Sequence, residues 1–262
     1  MDIANRFSLM IDALTELAEE EQAQQASPRP ASNPPTLKSI ITETSTLPDT
    51  ALFLGLAEDE LPILLDLYDP IPGPILIAAD QAGGKTSFLQ MVARAAEALH
   101  NPSEVQSAII TQYPDEWETF KDSQSVVGVY STHEDVACEL LQSLVTWAHN
   151  NKEKGQFILL LIDDLESITR LDQQAGQNMR WLLLRGPSRR IWPIVTINSS
   201  RANKTEAWLG FFRTRLFGQI KDASNSHFIA NDPNKVFDNL VSSQFTMREG
   251  NNWLNFWAPA ID

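Results

Sequence analysis

Gly83, Gly84, Lys85 and Thr86 form a quartet whose residue types suit phosphate. With Ala79 in the first position, residues 79–86 fit G-x-x-x-x-G-K-[ST] apart from that one glycine. Glycines let successive backbone N–H groups curl around phosphate oxygens. The helix that should follow adds the positive end of its dipole. On this reading Ala82, Gly83, Gly84, Lys85, Thr86 and Ser87 hold the phosphates, the Lys85 ammonium reaches the β- and γ-phosphates, and the Thr86 hydroxyl binds Mg²⁺. Asp80 sits inside the same loop, where a carboxylate would repel phosphate unless it points outward. The chemistry implied is the binding of a nucleoside triphosphate with Mg²⁺.

A second constellation fits the first. The apolar run Phe157–Ile162 ends in Asp163, Asp164, Leu165 and Glu166, the pattern of an acidic strand end facing a phosphate loop. Asp163 is the candidate Mg²⁺ ligand, directly or through water. Asp164 is placed to polarise an attacking water, and Glu166 is a second candidate base. An Asp at this place also serves as an ordinary helix N-cap. Asn198 ends the next strand and either senses the γ-phosphate or caps the strand-to-loop turn. Arg213 and Arg215 either reach a neighbouring subunit's phosphate as arginine fingers or form surface ion pairs.

Positioning such groups requires strands that end at one edge of a sheet. Apolar runs over 51–56, 62–67, 74–79, 107–112, 125–130, 157–162, 192–197 and 215–220, with a final pair near 244–248 and 253–256, read as strands. Helical periodicity marks 85–99, 133–150 and 173–184, the last ended by Gly186 and Pro187. Alternating strands and helices argue for an α/β fold with a mainly parallel sheet sandwiched by helices. Residues 1–24 carry Phe7, Met10, Leu14 and Leu17 at helical spacing among acids, an amphipathic helix. Residues 25–49 are rich in Pro, Ser and Thr and read as a linker, leaving 50–258 as the core.

Of 262 residues, 43% are hydrophobic and 21% charged, an ordinary globular balance that supports a core without disulfides. The single cysteine, Cys138, excludes an intrachain disulfide and fits a reducing compartment. No apolar run approaches a membrane span and no signal peptide is evident, so a cytoplasmic chain without membrane insertion is expected. The net charge is −14, yet residues 180–221 hold nine bases and one acid. Such a stretch either meets a polyanion such as DNA or pairs with the acidic remainder of the protein. The four histidines lack metal-ligand spacing with Cys138.

Taken together, residues 51–257 resemble the FtsK/HerA superfamily of P-loop ATPases. The segment 52–67 is similar to that family's β-segment before the P-loop, and 79–86 to its G-A-T-G-S-G-K-[ST] loop. Residues 126–137 are similar to its strand and T-D-x-x-E-A helix start, Thr196–Asn198 to its A-T-Q, and Thr214–Leu216 to its T-R-I. The resemblance implies a RecA-like core, ATP rather than GTP, and a homo-oligomeric ring with ATP at subunit interfaces acting on DNA. It departs at Asp163-Asp164, where the family has Asp-Glu, and at Thr111–Glu116, where the family has D-P-K. No winged-helix segment follows residue 262, so a stripped core is expected. Asp164 in place of Glu, Asp80 in the loop, the acidic surface and the tethered helix motivate an alternative: slow or absent hydrolysis, with nucleotide-dependent assembly and a protein partner engaged through the N-terminal helix.

Overall fold

The computed structural model describes residues 36–43, 47–151, 155–250 and 252–261. The helix expected over residues 1–24 lies outside them. The described residues belong to one unit, Thr36–Asp262.

Three continuous apolar runs form the centre of the sheet: β3 (Ile75–Ala79), β6 (Phe157–Asp163) and β7 (Ile191–Asn198). Strands buried on both faces need no polar alternation, which is why these segments read as unbroken hydrophobic stretches. With β4 (Val105–Thr111), β5 (Val126–Ser131) and β8 (Thr214–Phe217), they make a parallel block ordered β8-β3-β7-β6-β4-β5. Four antiparallel strands extend it beyond β8. They are β9 (Gln244–Glu249), β10 (Asn252–Trp257), β1 (Ala51–Ala57) and β2 (Pro62–Asp66), giving a ten-stranded sheet.

Successive side chains along β3 and β6 enter opposite cores, as the two-residue period of a strand requires. Ile75, Ile77, Leu159 and Leu161 pack with helix α2 (Lys85–Leu99), which turns Phe88, Leu89, Met91 and Val92 inward. Leu76, Ala78, Leu160 and Ile162 pack on the other face with α3 (Val136–Asn150) and α5 (Gln173–Arg185). The short α4 (Leu165–Ile168) joins β6 to that second layer. Each such side chain removed from water contributes about 1.5–3 kcal/mol.

Four short helices depart from the sequence reading, among them α4 and α6 (Glu206–Leu209). A third, α1 (Leu37–Glu43), stands within the stretch read as linker. It buries Leu37 and Ile40, and its first N–H donates to the Ala260 carbonyl at 2.9 Å. Seven residues, about two turns, are too short to show helical periodicity in sequence. The fourth, α7 (Ala223–Ala230), is capped by the Asp222 carboxylate, which accepts from the Ser224 N–H at 2.8 Å. The strand expected to run to residue 220 accordingly stops at Phe217, leaving Ile220 in an isolated bridge to Phe237. Gly186 ends α5 in right-handed geometry; a Cβ there would lie 2.4 Å from the Leu182 carbonyl oxygen and 2.7 Å from that of Ile191. Close approach, rather than a left-handed turn, requires the glycine.

Candidate functional site

The loop between β3 and α2 lies at the carboxyl end of the parallel strands, where α/β sheets bind ligands. A Cβ on Gly83 would stand 2.8 Å from the Ala79 Cβ, and Gly84 adopts φ 79°, so both glycines are required by shape. Ala82 takes a left-handed φ of 58° without being glycine, a strain of about 1 kcal/mol or more. Helix α2 begins at Lys85, and its first N–H groups have no partner within the helix. The Lys85 ammonium folds back over the loop and donates to the Ala79 carbonyl at 3.1 Å and the Asp80 carbonyl at 2.5 Å. Burial lowers its pKa, and the charges of Asp163, Asp164 and Asp80 push it back up.

The Thr86 hydroxyl donates to the Asp163 carboxylate at 2.8 Å. The other Asp163 oxygen accepts from the Thr196 hydroxyl at 2.9 Å, and that hydroxyl in turn accepts from the Asp164 N–H at 2.7 Å. Thr196 is fully buried in β7 beside the end of β6, so it fixes both aspartates from one atom. A hydroxyl and a carboxylate side by side are hard oxygen donors of the kind Mg²⁺ takes, with water and phosphate filling the remaining positions. Among the described residues no group of three or more His, Cys, Asp or Glu could hold a metal.

Asp164 has φ 82° and ψ 100°, an unusual conformation for a non-glycine residue. Its carboxylate accepts from the Glu166 N–H at 3.1 Å and from the Gln112 side-chain amide at 3.3 Å, and lies 3.6 Å from the Arg201 guanidinium. Burial raises its pKa, opposed by the Glu166 N–H and Arg201. Glu166 is differently placed. One carboxylate oxygen meets Arg170 at 2.6 Å and Lys204 at 3.4 Å, and the other meets Arg201 at 2.9 Å. Its pKa is lowered, first by the Arg170 hydrogen bond. Both oxygens being engaged by cations, Glu166, the second candidate base, is the centre of an ion cluster.

No protein-family model matches the chain, and no curated protein matches it. Solved structures do. EssC ATPases 2 and 3 from Geobacillus thermodenitrificans superpose with a TM-score of 0.69 at 13% identity, covering 81% of this chain and 45% of that one. EccC ATPases 2 and 3 from Thermomonospora curvata, in complex with a signal sequence peptide, give 0.67 at 14%, covering 81% and 41%. The pCW3 conjugation coupling protein TcpA, in monomer form with ATPγS, gives 0.62 at 16%, covering 83% and 68%. The chain shares the fold of these solved structures. The chain spans less than half the length of the EccC and EssC structures.

Within the sheet, Asn198 pairs in register with Ala79, the last strand residue before the loop that leads to α2. Its side-chain oxygen accepts from the Ser200 N–H at 3.2 Å and the Ser200 hydroxyl at 3.0 Å, so it does cap the following turn. The amide nitrogen is the end of that side chain available to a phosphate or water. Arg215 is not available in this way. Its guanidinium donates to the carbonyls of Phe212 at 3.2 Å, Leu209 at 2.7 Å and Ile229, and burial lowers its pKa. It staples the loop before β8 to the end of α7. Arg213 is exposed and precedes β8 at the sheet edge opposite the chain's own phosphate loop.

Five of the nine bases in the stretch 180–221 have partners within the protein. Arg180 lies over the Trp208 ring at 4.6 Å, Arg190 over Phe157 at 4.9 Å, and Arg201, Lys204 and Arg215 are engaged as described. Sequence reasoning passed over Thr196 and Gln112 as site residues. The signal for Thr196 was a lone polar residue in the apolar run Ile191–Ile197; Gln112 offered none beyond following a strand.

Proposed function

We propose that this chain is a Mg²⁺-dependent ATP-binding P-loop ATPase that works as a homo-oligomer in the cytoplasm. The observation supporting the proposal is the 2.8 Å contact between Thr86 and Asp163, a hydroxyl and a carboxylate of the donor types that suit Mg²⁺. The ATPγS complex of TcpA supports a nucleotide in this fold, and among the described residues no helix is long and apolar enough to cross a membrane.

In this reading the N–H groups of Ala82, Gly83, Gly84, Lys85, Thr86 and Ser87 surround the phosphates. Lys85 leaves the carbonyls of Ala79 and Asp80 for the β- and γ-phosphates. Thr86 and Asp163 hold Mg²⁺, which supplies charge neutralisation at the phosphates. Asp164, steered by Gln112, orients and deprotonates the attacking water, and Asn198 holds the γ-phosphate or that water through its amide nitrogen. Arg213 reaches the phosphate of a neighbouring subunit, since it stands at the opposite sheet edge from its own.

The partner is proposed to be DNA, met by the cations of residues 180–221 that have no internal role. A second reading is favoured by the internal partners of that stretch: Arg180, Arg190, Arg201, Lys204 and Arg215 serve the fold itself. There nucleotide binding drives assembly on a protein partner held by residues 1–24, with slow hydrolysis by the short Asp164 carboxylate. ATP turnover measured with and without long duplex DNA decides between them. DNA stimulation that fades steeply with salt supports the DNA motor. Tight ATP binding with slow, DNA-insensitive turnover supports the assembly protein.

A further inference from the structure

An acid within a phosphate-binding loop is unfavourable unless its charge is turned away, and Asp80 shows how that is done. One carboxylate oxygen accepts from the Ser199 hydroxyl and the other from the Lys221 N–H at 2.9 Å. The Asp80 N–H donates to the Gln219 carbonyl at 2.9 Å. On the loop side, the Asp80 carbonyl accepts from the Gly83 N–H at 3.1 Å and from the Lys85 ammonium at 2.5 Å. A single residue thus binds the exits of β7 and β8 with its side chain and N–H, and the loop lysine with its carbonyl.

The neighbours make this a rigid junction. Ser199 is fully buried and directly follows Asn198. Gly218 leaves β8 so close to the loop that a Cβ would lie 3.0 Å from the Ala79 Cβ and 3.2 Å from the Gly83 carbonyl oxygen. Charge-assisted hydrogen bonds to a carboxylate are stronger than neutral ones, and here they restrain a loop whose Ala82 and Gly84 hold left-handed conformations. A loop held in its binding shape before the ligand arrives loses less freedom on binding.

We propose that Asp80 is a positioning residue for the phosphate loop, fixing it between the ends of β7 and β8 through Ser199 and the Lys221 N–H so that it stands ready for the phosphates. This rests on the reading of Lys85 and Thr86 as nucleotide-binding. The other acids near Lys85, Asp163 and Asp164, are held by Thr196 and Gln112 and do not share the junction.

The test is equilibrium binding of a fluorescent ATP analogue with Mg²⁺, beside steady-state turnover, for the full chain and its Asp80→Ala, Asp80→Asn, Ser199→Ala, Asp80→Ala/Ser199→Ala and Lys85→Ala variants. Ser199→Ala should weaken binding about tenfold, the equivalent of one charge-assisted hydrogen bond, and Asp80→Ala, which also loses the bond from the Lys221 N–H, at least as much. The double variant should be no weaker than Asp80→Ala alone, because the two residues act as a unit. Asp80→Asn should stay within about threefold of wild type, since its amide oxygen accepts from Lys221 while its N–H₂ donates to the Ser199 hydroxyl. The loss should appear in KM, with kcat within about twofold. If Asp80→Ala does not fold, Ser199→Ala against Asp80→Asn carries the same contrast. Wild-type affinity in the Asp80→Ala and Ser199→Ala variants, with binding lost in Lys85→Ala, overturns this inference alone. Additive losses, or an Asn variant as weak as the Ala variant, also overturn it. Equal binding by wild type and Lys85→Ala overturns the nucleotide reading instead.

Discussion

Thr86 and Asp163, 77 positions apart in sequence, meet through a hydroxyl–carboxylate hydrogen bond of 2.8 Å. One opens α2 and the other closes β6, so the contact exists only when the phosphate-loop strand and the acidic strand are packed in their proper order, with β7 between them. Removing either side chain should impair metal-dependent turnover rather than folding. Thr86→Ala and Asp163→Asn are expected to lower kcat about 100-fold or more. The Mg²⁺ concentration at half-maximal rate should rise in parallel, as a Mg²⁺ titration of phosphate release would show.

Asp164 is the carboxylate next to that pair, reached by Gln112 at 3.3 Å. Asp164→Asn should retain ATP binding and lose about 10²–10⁴-fold in turnover, the usual contribution of a general base. Asp164→Glu extends the carboxylate by one methylene and should turn over at least as fast as wild type. A wild-type rate in Asp164→Asn would move the base elsewhere.

Thr196 donates to Asp163 and accepts from the Asp164 N–H with one buried hydroxyl. Thr196→Val keeps the shape and leaves that N–H without its partner, at a cost of about 1–3 kcal/mol. For a chain of this size that corresponds to a fall in Tm of about 2–12 °C, measurable by thermal melting. Turnover should fall as well, because both aspartates lose their anchor.

Glu166 gives a pH dependence with a definite sign. Its folded pKa is lowered, chiefly by Arg170, so its contribution to stability is present above its ordinary value of 4.5 and is lost as pH falls through the lower folded value. Glu166→Gln should therefore destabilise the protein at neutral pH and show a shallower loss of stability on acidification below that value. Parallel acid-unfolding curves for the two proteins would remove the ion cluster from the account.

Much of the fold was legible because its elements announce themselves locally. Helix α2 spans Lys85–Leu99 as its periodicity indicates, and the apolar run beginning at Phe157 is a central strand. The strand–loop–helix turn around Gly83, Gly84, Lys85 and Thr86 was legible for the same reason, since these residues are contiguous. What could not be read depended on partners far along the chain. Glu166 is a second candidate base in sequence, and the Arg201 and Lys204 that engage it come from the turn after β7. Arg215 is a candidate finger in sequence, and whether an arginine finds carbonyls such as that of Ile229 depends on α7, whose residues form helices weakly. Thr196 carried its signal in plain view, since a hydroxyl in the middle of a buried strand must have partners.

The central claim is that Lys85 and its loop bind ATP with Mg²⁺. The most direct test is ATP binding and phosphate release by the purified chain, with and without Mg²⁺, beside Lys85→Ala. The account predicts Mg²⁺-dependent binding and turnover that Lys85→Ala reduces to background. Binding that ignores both Mg²⁺ and Lys85, or no binding by the wild-type chain, would contradict it.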